Sequence, residues 1–459
     1  MNKMNGNAPI SLGKNGLKLC VEETKRFDRL IRQSYEQIGL DIYGVKHTPG
    51  VAVFAYGSPG RRELIGGDSD ADIFLIEKER TEKSKKLRKK LKEKWETFGF
   101  SKVDLPTWGT YNEIETYLEK SLVEGNQVLE TRYLTGDSFV AQDVLERKRK
   151  FDSIERGLEN IVFNRLYFNQ YFRQRVRNGA LNIKYCHGGS RDFLFVYWHD
   201  RLDRMMEGDP DDPSYTPRIE SGLNRLVSQG KIDEKKLGNL IEAINFSTEL
   251  RSDVLSLNKS TPERGLTFLD GSTLERLHSI GYPDPETIRS YFEEYRMRIE
   301  NLSRLVWDET IKKAGRLRGK LWEEKFRKAY LPAIRENIRE QIPSDDPLLS
   351  TALIWGASES RQKDLFDFLV RKHKGSENWS VIGSIVCSPL CDEKILHHFG
   401  TGQLKEKGYE YLLRVVARNR NVSQETLRSI VGDSRLGKRY TEVAQVALVK
   451  GNKEANNQV

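Results

Sequence analysis

Apolar positions keep a helical period from Leu17 to Leu40, where Cys20, Val21, Phe27, Leu30, Ile31 and Ile38 fall on one face, so an amphipathic helix is predicted there. From Val51 the pattern shortens to two apolar runs, VAVFAY and ADIFLI, each reading as a strand, with small residues and two arginines between them. A basic stretch of helical period, EKERTEKSKKLRKKLKEKWETF, comes next, and then a short extended segment, SKVDLPTWG. Together these elements predict an α/β region.

Beyond Thr110 almost every segment has helical period, broken at Gly136-Asp137, at Gly188-Gly189, at the acidic loop Glu207 to Pro217 and at GYPDPE. A further boundary falls at QIPSDDP, Gln341 to Pro347. The segments after it, ALIWGASESRQKDLFDFLV, SIVCSPLCDEKILHHFG, RVVARNRNVSQETLRSIVGD and QVALVKGNKEA, echo one another at a spacing of about 30 residues, which predicts stacked helical pairs. The third copy resembles the leucine-rich-variant type of α-helical repeat; unrelated helix pairs in a bundle are the other reading. The expected fold class is therefore α+β. It comprises a leader and helix (1–45, the first 16 residues flexible), a mixed-sheet domain (46–140), an all-α domain (141–343) and helical repeats (344–459).

Charged residues make up 31% of the 459, and the formal net charge of +9 suits phosphate-rich ligands without requiring nucleic acid. No apolar run has the roughly 18 residues of a membrane span, and the polar start MNKMNGNAPISLGKNG lacks the apolar centre of a signal peptide, which points to the cytoplasm. Cys20, Cys186, Cys387 and Cys391 are too few and too uneven for a disulfide framework.

Candidate chemistry concentrates in VFAYGSPGRRELIGGDSDADIFLI. Asp70 and Asp72, two apart on a strand, project to one face, where their mutual repulsion calls for a shared cation. Magnesium, with its preference for carboxylate and phosphate oxygens, suits such a pair. Gly57 and Ser58, with Gly60 behind them, could bring bare backbone N–H groups against a triphosphate, with Arg61 or Arg62 adding charge.

Gly57-Ser58, eleven intervening residues and Asp70-Ala71-Asp72 resemble the signature of the DNA polymerase β-like nucleotidyltransferases. With the appended Gly-Arg-x-Glu-Leu the stretch looks like the catalytic loop of bacterial PII uridylyltransferases and glutamine synthetase adenylyltransferases. KVDLPTWGT resembles the segment carrying a third metal carboxylate in the adenylyltransferase branch, which points to Asp104. LETRYLTGD and NIKYCHGGSRDFLFVYWHD resemble stretches of both branches, and STELRSDVLSLNKSTPERGLTFLD resembles one of the uridylyltransferases. Residues 25 to 300, roughly, are covered.

The resemblance implies an enzyme that transfers UMP or AMP from a nucleoside triphosphate to a hydroxyl of a partner protein, PII-like or another regulatory protein, docked on the helical repeats. Two Mg²⁺ ions would be held by Asp70, Asp72 and Asp104, with Asp104 also able to help remove the hydroxyl proton; a capping role before Pro106 is its alternative. Gly57, Ser58, Gly60, Arg61, Lys184 and Arg191 would bind the nucleotide. Arg61 could equally pair with Glu63, and Asp192 could orient Arg191, or Gly188-Gly189 could form a buried turn between crossing helices. A catalytically silent binding protein, or a transferase acting on a small molecule or an RNA end, are the alternatives.

The chain departs from this family in three places. IGGD, between Leu64 and Ser69, is one residue longer than expected, so Asp68 competes with Asp70 as a ligand. The metal-dependent HD hydrolase and the paired sensing (ACT) domains have no counterpart, and His199 of WHD reads as a helix-surface residue. In the basic run, interleaved glutamates suggest a solvated helix with i,i+4 pairs, which argues against nucleic acid as a partner. Cys387 and Cys391, with His397 and His398 nearby, read as packing residues in preference to a zinc or iron–sulfur site, and FNRLYFNQYF as helix core.

Overall fold

The computed structural model describes residues 15–46, 48–65, 71–98, 103–104, 110, 130–151, 157–158, 161–162, 180–184, 186, 188–207, 219–258, 267–330, 346–373, 375–376, 378–403, 410–433, 436 and 441–449. The chain forms two compact units, one made of Met1–Thr116, Asn126–Ile154 and Arg175–Asp308, the other of Tyr117–Gly125, Glu155–Gln174 and Glu309–Val459. The breaks expected within 207–217 and at 343–344, the flexible leader, the IGGD insertion and the aromatic cluster from Phe163 lie outside the described residues, wholly or for the most part.

In the first unit a four-stranded sheet has the order β3 (Val103–Asp104), β2 (Ala71–Glu77), β1 (Val51–Ala55), β4 (Arg132–Gly136). β1 pairs antiparallel with both neighbours, and β3 runs parallel to β2. All five residues of β1 are buried, which is why VAVFA reads as an unbroken apolar run instead of an alternation. One face of the sheet is covered by α1 (Gly16–Tyr43) and α3 (Glu82–Glu96): Val53, Ala55, Ile73 and Leu75 pack with Phe27, Ile31 and Tyr35 of α1 and Leu87, Leu91 and Trp95 of α3.

Two polar side chains of this core are paired. Tyr35 Oη donates to Val51 O (3.0 Å) and Trp95 Nε1 to Ser34 Oγ (2.7 Å). Asn15 caps the start of α1, and Thr81 and Ser84 form a reciprocal capping box at the start of α3. The basic helix therefore begins later than its composition suggests: Glu77 is the buried last residue of β2 and pairs with Arg88 at 2.9 Å. The expected loop at Gly57–Gly60 is a single helical turn, α2.

The rest of this unit is mainly helical: α4 (Ser138–Phe151), α5 (Phe193–Met206), α6 (Ile219–Ser228), α7 (Glu234–Leu257), α8 (Gly271–Ser279) and the start of α9 (Pro285–Arg318). The boundary expected at 140–141 falls inside α4. A two-stranded ribbon of β5 (Leu181–Asn182) and β6 (Phe268–Leu269) joins the segment before α5 to that before α8. α1 also packs on α7, where Asn245 Oδ1 accepts from Leu17 N at 3.0 Å.

The second unit holds α10 (Lys320–Tyr330), α11 (Pro347–Glu359), α12 (Lys363–His373), α13 (Trp379–Cys387), α14 (Glu393–His398), α15 (Glu410–Val416) and α16 (Gln424–Val431). α11 packs on α13 and α13 on α15, so the first helices of successive pairs stack. Buried hydrogen bonds join equivalent positions: Trp355 Nε1 donates to Ser384 Oγ (2.8 Å), and the hydroxyls of Ser358 and Ser388 meet at 2.8 Å, 30 residues apart. Asn419 Nδ2 donates to Val386 O and Ser388 O, and Asn421 Nδ2 to Pro389 O and Cys391 O, tying each turn to the one before it. Among the described residues no helix is long and apolar enough to cross a membrane.

Candidate functional site

The site is built where β1 hands over to α2 beside β2. Tyr56 N donates to Asp72 O (3.1 Å) and the Tyr56 ring stacks on Phe74 at 4.1 Å, so the turn leaves the sheet alongside Asp72. Gly57 has φ +58°, and a β-carbon there would overlap Asp72 Oδ2: only a residue without a side chain lets the backbone lie against this carboxylate. Gly60 N to Tyr56 O (3.1 Å), Arg61 N to Gly57 O (3.0 Å) and Glu63 N to Ser58 O (2.8 Å) close the turn. As at any helix start, the first N–H groups, those of Gly57 and Ser58, have no acceptor within the turn.

Asp104 stands on β3 in register with Asp72, as parallel neighbours on adjacent strands. Asp70 and Asp68 lie outside the described residues. Among the described residues no group of three or more His, Cys, Asp or Glu is gathered in a metal-binding arrangement.

Arg61 is buried and occupied by carboxylates. Its Nε lies 3.1 Å from Glu63, its Nη1 pairs closely with Glu130, and its guanidinium sits 5.7 Å from the Tyr197 ring centre. Burial opposes its charge, but Glu130 and Glu63 outweigh that and raise its pKa. Of the two roles open to Arg61 in sequence, this is the pairing with Glu63, extended to a second partner. Glu130 Oε1 in turn accepts from Trp198 Nε1 of α5 at 3.2 Å.

Two more residues of LETRYLTGD make bracing contacts, Arg132 at the turn and Asp137 at the entry to β1. Arg132 grips Asp28 of α1 with two bonds of 2.8 Å and donates to Pro59 O (3.0 Å). Asp137 accepts from Gly50 N (2.7 Å) and from Phe139 N (2.9 Å) at the start of α4, and these backbone bonds, working against its burial, lower its pKa. Sequence reasoning did not assign roles to Glu130, Arg132 or Trp198. Their partners are distant in the chain, and only the charged residues within an otherwise apolar segment hinted at them.

Lys184 and Arg191, both half-buried, flank a tight turn in which Gly188 and Gly189 are buried. Asn182 Oδ1 accepts from Lys184 N (2.9 Å) and Thr267 Oγ1 (3.1 Å), and Arg191 N donates to Lys184 O (3.1 Å). Gly188, at φ +74°, is pressed against Arg296 O of α9, leaving no room for a side chain. Asp192 Oδ2 accepts from Gly188 N at 2.7 Å. Next to this turn, Arg251 of α7 reaches Ser190 Oγ at 3.5 Å.

His199 corrects the sequence reading. It is buried, 3.8 Å from Asp203, within a charged cluster that also holds Asp200, Arg204 and Arg225. The helix face that reads as polar is turned inward and neutralised by α6. At the far end of the chain His397 Nδ1 meets Thr426 Oγ1 (3.0 Å), and burial pushes the Cys387 and Cys391 thiols well up from their ordinary pKa.

No family model matches this sequence. The chain is 29% identical over 362 residues to the bifunctional uridylyltransferase/uridylyl-removing enzyme of Haemophilus influenzae (strain 86-028NP), a match covering 75% of this chain. It spans 37% of the length of that relative.

Proposed function

We propose that the chain is a Mg²⁺-dependent nucleotidyltransferase of the PII uridylyltransferase type, moving UMP or AMP from a nucleoside triphosphate to a hydroxyl of a partner protein. The observation that carries this reading is the Gly57–Gly60 turn lying against the Asp72 carboxylate, with Asp104 in register on the neighbouring strand. The similarity to a uridylyltransferase supports transferase chemistry at the coarse level.

The donors suit magnesium: carboxylate oxygens are its preferred protein ligands, and Asp72, with Asp70 and Asp104, would hold it. Bound there, the metal would stabilise phosphate oxygens as a Lewis acid and lower the pKa of the attacking hydroxyl. Gly57 and Ser58 would receive phosphate oxygens on their backbone N–H groups, the close approach being possible because Gly57 carries no side chain. Asp104 would take the hydroxyl proton, and Lys184 and Arg191 would offset nucleotide charge from the helical side. Arg61 would act by holding the turn in place. The partner protein would dock on the stacked helical pairs.

Incubating the purified chain with each α-labelled nucleoside triphosphate, Mg²⁺ and a cell lysate should label a protein band, and Asp72→Asn should reduce labelling by more than about 100-fold. Equal labelling by the parent and Asp72→Asn, or none with any nucleotide, would sink the proposal.

A further inference from the structure

Helices α2 and α11 close in the same way. Beyond α2, Arg62 N donates to Pro59 O at 3.3 Å and Glu63 N to Ser58 O at 2.8 Å; beyond α11, Arg361 N donates to Ser358 O at 3.2 Å and Gln362 N to Ala357 O at 2.9 Å. This paired closure puts one residue into the left-handed region, a place usually taken by glycine because a β-carbon is unfavourable there. Both places hold arginine here. Arg62, at φ +61°, and Arg361, at φ +54°, are the two non-glycine residues with left-handed backbone among the described residues.

The two settings differ. Arg361 is exposed, on a turn of the second unit. Arg62 is half-buried, and the turn that it closes is the one lying against the Asp72 carboxylate. That turn is about 6 Å long, a length comparable to an arginine side chain, so the Arg62 guanidinium can reach the Gly57 and Ser58 end of it. Its neighbour cannot serve there, because Arg61 is buried with Nε 3.1 Å from Glu63 and Nη1 on Glu130, and its charge is already offset. Non-glycine residues held in left-handed backbone gather at active sites and ligand clamps, where the function of the side chain outweighs the strain.

Resting on the nucleotidyltransferase reading above, we propose that Arg62 is the arginine of this turn that binds the triphosphate of the nucleotide. Its forked guanidinium would make charge-assisted N–H···O contacts to phosphate oxygens beside those received by the Gly57 and Ser58 N–H groups. Arg61 keeps its separate task of holding the turn. Glycine at position 62 would then give a more stable chain that holds nucleotide less well, whereas glycine at position 361 would relieve the same strain without touching the site.

Titration calorimetry of the full chain with ATP, UTP and inorganic tripolyphosphate, each with Mg²⁺, tests the assignment alongside urea unfolding. Arg62→Gln and Arg62→Gly should each lose about 10- to 100-fold in affinity for the nucleotide that the parent binds and for tripolyphosphate, which has no base or ribose. Arg62→Lys should lose less than Arg62→Gln, since it keeps the charge without the fork. Arg62→Gly should raise the urea midpoint of the first unit, and Arg361→Gly that of the second while binding all three probes as the parent does. Parent affinity in Arg62→Gln, a loss confined to the nucleotides, or a lower urea midpoint in Arg62→Gly would overturn the role of Arg62 and leave the nucleotidyltransferase reading standing. Failure of the parent to bind any of the three probes would overturn both.

Discussion

Trp198 of α5 donates its indole N–H to Glu130 at 3.2 Å, and the other oxygen of that carboxylate grips Arg61 at the end of the Gly57–Gly60 turn. One buried carboxylate thus ties the turn to a helix outside the sheet. A buried ion pair that loses one partner leaves a charge without compensation. Glu130→Ala is therefore expected to destabilise the first unit by about 3 kcal/mol, the lower end of the usual range because Glu63 still pairs with Arg61. Trp198→Phe removes only a hydrogen bond and should cost about 1 kcal/mol beyond its packing change. Urea unfolding followed by tryptophan fluorescence, with far-UV circular dichroism for Trp198→Phe, would rank the two; a smaller loss in Glu130→Ala would contradict the assignment.

Gly57 is expected to tolerate no side chain. Alanine would incur about 1–2 kcal/mol for its left-handed backbone, and its β-carbon would overlap Asp72 Oδ2. Gly57→Ala should lower the melting temperature and, by displacing the carboxylate, reduce nucleotidyl transfer more than the lost stability accounts for. Activity assayed well below the melting temperature separates the two effects. A fully active Gly57→Ala protein would show that Asp72 need not hold its position against the turn.

The parts of this site that could be read in the sequence are local ones. The two strands, the small residues between them and Asp72 lie within a short stretch whose apolar period and spacing are visible without knowing the fold. Asp104 could be nominated from its segment, but its place in register with Asp72 arises only when β3 joins β2. Arg61 and Glu130 are 69 residues apart, and Glu130 and Trp198 are 68 apart, so no periodicity connects them. His199 was misplaced for a related reason. α5 is buried along most of its length, and its Asp200 and Asp203 pair with Arg225 of α6, whereas an amphipathic reading assigns every charge to solvent.

His373, at the end of α12, gives the second unit a pH dependence. The ring is buried, its Nε2 has no hydrogen-bond partner among the described residues, and burial, assisted by Lys372, lowers its pKa below the ordinary 6.5. The folded chain therefore holds this imidazole neutral while the unfolded chain takes up a proton as the pH falls through 6.5. The sign follows: its contribution to stability is complete above that pH and is lost progressively below it, until the folded form protonates as well. The urea midpoint of the second unit should be lower at pH 5.5 than at pH 7.5, and His373→Leu should flatten that difference. An unchanged slope in the variant would assign the pH dependence to other groups.

Asn419 tests whether the helical pairs behave as a stack. Its Nδ2 donates to Val386 O at 2.9 Å and to Ser388 O at 3.0 Å, two carbonyls at the end of α13, and it is nearly fully buried. Asn419→Ala leaves both carbonyls buried without that donor, a loss of about 2 kcal/mol. In a stacked array, where stability is carried by contacts between neighbouring pairs, the damage should stay near the joint it breaks. Hydrogen exchange should speed up in α13, α15 and α16 while α11 and α12 keep most of their protection. Uniform loss of protection across α11 to α16 would mean instead that the unit unfolds as a single cooperative bundle.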